Sequence, residues 1–204
     1  MTTIELTVDG ELNRYEIPDS FTELTVEQYI ELVPIISEED SFTRTRRLIN
    51  YFTELEEYID YLKEDTILEI VSAFNYLFDT VDEYKEHKIT QFEHNGTIYA
   101  VKSNLDSMTF GEKEYINKIK DIINEDIYKS IPYIASVVTT EEGKEQGYSL
   151  KDLQNKARTF YQLKCSTAFA LFFSIIDGNN QFHGTTKSYL NHLNQQIQKL
   201  SQQV

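Results

Sequence analysis

Ile4, Leu6 and Val8 alternate with polar residues, and a second alternating run covers residues 12 to 17, a period of two that predicts two half-buried strands. Asp9-Gly10 stands between them and tolerates the positive φ of a two-residue hairpin turn. The arrangement returns at residues 88 to 92 and 97 to 102 around Asn95-Gly96, the strongest short-range hairpin signal in the chain. A capped helix start follows each hairpin. Thr25 and Gln28 have capping-box spacing, in which the hydroxyl meets a free N–H and the amide reaches back, and predict a helix through about Val33. Thr109 and Glu112 repeat that spacing ahead of a helix from Phe110 to about Asn124, with Tyr115, Ile116, Ile119, Ile122 and Ile123 on its apolar positions.

Between the two modules the pattern is helical. Pro34 and the acidic residues 37 to 40 punctuate the chain, and a helix is expected from Ser41 to about Phe52. Thr53 and Glu56 again have capping-box spacing. A wide apolar face of Ile67, Leu68, Ile70, Val71, Phe74, Leu77 and Phe78 predicts a central helix over about 65 to 78. Residues 127 to 138 are apolar but interrupted by Pro132, which leaves helix and strand both open. Gly143 and Gly147 bound a charged stretch that marks 139 to 149 as a loop. Ser149 caps a helix expected to run from Leu150 toward Ile176, and a last amphipathic helix follows Thr186. Its apolar positions, Tyr189 or Leu190 and then Leu193, Ile197, Leu200 and Val204, step by three and four like a coiled-coil seam.

These elements predict an α+β protein, predominantly α-helical, with two β-hairpins. Its expected organisation is an acidic body over 1–138 with two hairpin-plus-helix units, a loop over 139–149, and a helical C-terminal segment over 150–204 packed on the body or on a neighbouring subunit. The chain of 204 residues is 40% hydrophobic and holds 12 Phe and 14 Tyr, enough to fill a core. Nineteen Lys/Arg against 34 Asp/Glu give a formal charge of −15, which opposes binding to phosphate backbones. The imbalance is uneven: residues 1 to 148 hold 13 Lys/Arg and 32 Asp/Glu, and residues 149 to 204 hold 6 and 2. That asymmetry suits tail-to-body contacts between copies as well as a solvated acidic surface.

Candidate chemistry is sparse. Cys165 lies in an apolar run and reads as buried filler, and one cysteine excludes an internal disulfide. His87, His94, His183 and His192 lack the spacing of a helical zinc pair, so no metal or other cofactor is expected. Phosphate-cradle, dinucleotide-binding and nucleophile-elbow motifs are absent from the sequence, and Asp177-Gly178-Asn179-Asn180 lacks the alternating ligands of a calcium loop. Paired carboxylates fall on polar helix faces, where they share one environment instead of the contrasting pair that acid–base catalysis requires. A non-enzyme is expected. Arg44, Arg46 and Arg47, three arginines in four positions, have the chemistry to grip an anion, but in so acidic a chain they are expected to pair with nearby carboxylates or a partner subunit. Together with Leu190, Leu193, Ile197, Leu200 and Val204 they form the candidate subunit interface. Hairpin two, flanked by Lys88 and Lys102, either pairs an edge with another chain or packs within its own fold. The polar N-terminus is unlike a signal peptide, and no apolar run approaches a bilayer span, so synthesis in the cytosol without membrane contact is expected.

Residues 24–32, "LTVEQYIEL", and 95–116, "NGTIYAVKSNLDSMTFGEKEYI", each preceded by strand signals, resemble small proteins encoded among the head, neck and tail genes of tailed bacteriophages, especially the crAss-like phages. The resemblance covers about residues 15 to 135 and continues more loosely through "AFALFFSII" at 168–176 and "TTKSYLNHL" at 185–193. Charged Lys113-Glu114 departs from the more apolar residues expected after the second helix start. The resemblance implies a ring protein of the neck or tail below the portal, built from copies of this chain and adjoining portal or other ring proteins, with DNA passing without specific binding. It equally implies a tail-assembly chaperone that binds a tape-measure or tube protein. The corresponding locations are the virion, and the host cytoplasm during assembly.

Overall fold

In a computed structural model the structure describes residues 1–8, 10–78, 84, 87–102, 108–144 and 148–178. The first alternating run forms β1 (Thr2–Val8), paired antiparallel with β2 (Glu11–Ile17) from Thr2 opposite Ile17 to Val8 opposite Glu11. Ile4, Leu6 and Ile17 are buried while Glu5, Arg14 and Glu16 face outward, the half-buried sheet that alternation demands. Gly10 supplies positive φ at the turn; Asp9 lies outside the described residues.

The Thr25–Gln28 capping box is formed, with each partner receiving the other's N–H, and opens α1 (Val26–Ile36). Val26, Tyr29, Leu32 and Ile35 recur on one face and are buried. Pro34 does not end this helix: the chain runs on to Ile36, because burial of Ile35 outweighs the backbone bond that proline removes. Asp40 caps α2 (Ser41–Thr53) through Thr43 N–H at 2.7 Å. Thr53 closes that helix and starts nothing, for its buried hydroxyl donates back to the Ile49 carbonyl and Glu54 takes the left-handed conformation that terminates helices. A 3₁₀ turn at Ile59–Tyr61 and α3 (Glu64–Ala73) follow, and a second 3₁₀ turn covers Asn75–Phe78. The wide apolar face expected here is narrower in the fold. Ile70, Phe74 and Leu77 are buried, but Leu68 points to solvent. Phe52 stacks on Phe74 at 5.1 Å, and Phe21 meets Tyr29 and Tyr76 edge to face, closing a core beneath the hairpin.

Hairpin two forms as β3 (Gln91–His94) and β4 (Thr97–Val101), with Asn95 and Gly96 at φ 51 and 73, the paired positive values of a type I′ turn. Asp126 ends α4 (Phe110–Glu125) and caps α5 (Ile127–Val138), accepting from Tyr128 and Lys129 N–H. The ambiguity at Pro132 thus resolves as helix, anchored by that cap and by burial of Ile131, Ala135 and Val138. The next residues, within the segment expected as loop, are β5 (Thr139–Glu141), which pairs with β4 and gives the order β3-β4-β5. One edge of hairpin two is therefore covered by its own chain. Ser149 caps α6 (Leu150–Phe160) in a third capping box with Asp152. The long helix expected from 150 breaks at Tyr161–Lys164, where Leu163 turns inward, and resumes as α7 (Cys165–Gly178).

The fold is α+β and helix-dominated. Its residues cluster into two compact units, Met1–Asp79 and Thr80–Val204, so the body and C-terminal segment expected to divide between 138 and 150 meet inside the second unit.

Candidate functional site

The three arginines of α2 fall within about one turn of one amphipathic helix, and two of them reach Glu38 while the third reaches Asp60. Arg44 donates to the Glu38 carbonyl at 3.1 Å and lies 5.1 Å from the Phe78 ring centroid. Arg46 forms an ion pair with Asp60, and its guanidinium lies 5.9 Å from the Phe42 ring centroid. Arg47 reaches the Glu38 carboxylate at 3.4 Å. Each charge is engaged within its own unit, and the three have no common focus where an anion would be held. Leu190, Leu193, Ile197, Leu200 and Val204 lie outside the described residues.

Between two of those contacts lies a feature that the arginine spacing alone does not disclose. Phe42 is 67% exposed and Tyr61 is 84% exposed. Arg46 faces the Phe42 ring and is paired with Asp60, which precedes Tyr61 in the same 3₁₀ turn. Phe42 is displayed because it is the second residue of a helix whose buried face holds Leu48, Ile49 and Thr53; Tyr61 is displayed because the 3₁₀ turn buries Ile59 instead.

In the second unit the notable group is buried. In α6 the stripe Leu153, Lys156, Ala157, Phe160 has the i, i+3, i+4, i+7 spacing of a core face, and all four are buried, Lys156 at 5% exposure. Its Nζ donates to the Thr139 carbonyl at 2.6 Å and lies 4.1 Å from the Tyr148 ring centroid, with Tyr99 and Phe160 at 5.2 and 5.7 Å. Lys144 lies 4.0 Å from the same Tyr148 ring, whose hydroxyl accepts the Glu141 N–H at 2.7 Å. Close by in sequence to β4, Lys102 donates to Glu112 Oε1 at 2.6 Å, while Glu112 Oε2 accepts the Thr109 N–H of the capping box.

Burial pushes the Lys156 ammonium down to about 7, Lys102 and Lys144 act the same way, and Glu141 and Glu112 oppose them. Burial also pulls Glu112 upward, but the Lys102 ammonium and the Thr109 N–H outweigh it and hold the carboxyl below its ordinary value. Tyr148 is pushed up to about 12, chiefly by burial. The arrangement is a proton-titrating fastener between α6, β5 and the aromatic side chains. The amine is buried, and its contacts are a carbonyl and ring faces. Lys156 was legible as a lysine at a core position of an apolar stripe; Tyr99 and Tyr148 join it only through tertiary contacts.

Cys165 is fully buried, and burial drives its thiol well above the ordinary range, away from nucleophilic chemistry. Among the described residues no group of three His, Cys, Asp or Glu is placed to hold a metal ion, and no helix is long and apolar enough to cross a membrane. The chain matches no protein-family model, no curated protein and no solved structure.

Proposed function

We propose that the chain is a non-enzymatic structural subunit of a tailed-phage virion, a ring protein of the neck or tail below the portal that contributes to an acidic DNA conduit. One observation carries the reading beyond the sequence resemblance. Residues 1–79, the first compact unit, hold five Lys/Arg against nineteen Asp/Glu, a formal −14, while residues 80–204 hold fourteen against fifteen, a formal −1. Nearly all of the net charge therefore belongs to one folded unit, whose Arg14, Arg46 and Arg47 are already paired with carboxylates of that unit. A polyanionic surface repels phosphate and lets a duplex pass without being gripped.

The alternative is a tail-assembly chaperone that binds a tape-measure or tube protein and leaves before the particle matures. The exposed Phe42 and Tyr61 favour it, since side chains of that type anchor protein contacts. Mass spectrometry of purified virions, joined to mass photometry of the isolated protein, separates the two. The ring reading expects the chain in the particle at a copy number equal to that of a closed assembly in solution. Absence from virions together with binding to a tail protein would replace it by the chaperone reading.

A further inference from the structure

We propose that the surface displaying Phe42, joined through the Arg46–Asp60 ion pair to the 3₁₀ turn that displays Tyr61, is the acceptor surface for residues 186–204 of a second copy of the chain. The inference rests on the reading of the chain as a self-assembling subunit, and adds which surface of the first unit receives the contact.

Aromatic and arginine side chains are enriched among the residues that dominate protein contacts, and a side chain ordered beforehand loses less freedom on binding. Here the arginine is already placed. Arg46 stands between the Phe42 ring and Asp60, so a partner arriving over the two rings finds the linking side chain ordered before contact. The surroundings then select the partner's charge. Residues 38–69 contain four Lys/Arg and ten Asp/Glu, and the pairing of Arg46 and Arg47 with Asp60 and Glu38 leaves Glu39, Glu56, Glu57, Glu64 and Asp65 exposed around the segment. An occupant must bring apolar anchors to the rings and positive charge to the rim.

The chain itself contains such a segment. Residues 178–204 include Lys187 and Lys199, His183 and His192, and no carboxylate side chain. Leu190, Leu193, Ile197 and Leu200 step through it by three and four. Donor segment and acceptor surface are different parts of the chain, so the contact can repeat head to tail and generate a closed ring or an open filament, whereas reciprocal exchange between two copies would give a two-fold dimer.

Fluorescence anisotropy of a labelled peptide of residues 184–204 against the full-length protein tests the surface. Saturable binding is expected that weakens as salt is raised, falls at least about tenfold in the Phe42→Ser/Tyr61→Ser variant, and is lost for a peptide carrying Lys187→Glu and Lys199→Glu. Both ring positions are exposed, and the variant's unchanged thermal unfolding serves as the folding check. The same variant should shift mass-photometry populations from the closed assembly to the monomer. Peptide binding by the variant within about twofold of the original, an unaltered assembly, or a wild-type surface that takes a tail protein but not this peptide would each overturn the inference. The two readings fail separately. Loss of peptide binding in the variant, with the chain absent from virions, keeps the surface and removes the virion role; a virion ring that persists in the variant does the reverse.

Discussion

Lys156 ties a single side chain to the stability of the second unit. Its ordinary value near 10.4 in an unfolded chain falls to about 7 in the fold, because folding removes the ammonium from water. Between those values the unfolded chain binds more protons than the folded one, so stability rises with pH across that window. Below about 7 both states carry the proton and the destabilisation is present in full. Tyr148 and Tyr115, each pushed up to about 12 by burial, have the opposite effect above about 10, where unfolding releases phenol protons. The unfolding free energy from urea titrations at pH 6 to pH 11 should therefore climb from neutrality by an amount on the order of 3 kcal/mol, peak near pH 10 and fall. Lys156→Met should flatten the climb, although it leaves the Thr139 carbonyl without its donor. An undiminished climb in that variant would mean that another group sets the slope.

At the scale of the element, the capping residues act locally. Thr25→Ala removes the acceptor for Gln28 N–H at the start of α1 and should lower the stability of the first unit by about 1 kcal/mol, read from hydrogen exchange of amides in α1 and β1. Loss from amides of α4 or α6 as well would show that the effect is not confined to that helix. The same locality explains what the sequence discloses. Thr25, Thr109 and Ser149 act on residues three positions away, and Asn95-Gly96 on its own two φ angles, so the three capped starts and hairpin two are readable from short windows. β5 is not, for its ladder joins Thr139–Glu141 to residues about forty positions earlier, and nothing in "TTE" announces the partner. Pro132 and Pro34 misdirect in the same way, since the burial that keeps helix around them is tertiary. Of the surface candidates, the arginines were legible as charges seeking partners, while the display of Phe42 and Tyr61 follows from which neighbours the fold buries.

For the molecule as a whole, the charge division predicts that its two units respond differently to salt. Self-repulsion within a unit of formal −14 is relieved by screening, whereas a unit of formal −1 has little to relieve. Raising sodium chloride from about 0.02 to about 0.3 M should protect amides of β1, α1 and α2 against exchange far more than those of α4 and α5. Equal protection in both would show that the charge is dispersed in its effect. The run from α4 through Asp126 and α5 into β5 has a different consequence at this scale. One residue, the extended Asp126, separates the two helices and none separates α5 from the strand, so no loop residue is available to absorb a change of length between Phe110 and Glu141. An added residue inside α5 would turn one part of that helix by about 100° against the rest, swinging Ile131 or Ala135 outward or pulling Thr139 out of register with Val101. A scan of single-alanine insertions should find this stretch intolerant, with soluble yield collapsing within α5 and surviving at Gly143. The segment behaves as a gauge block, in which length itself is under constraint and a change of length is expected to be tolerated only in other parts of the chain.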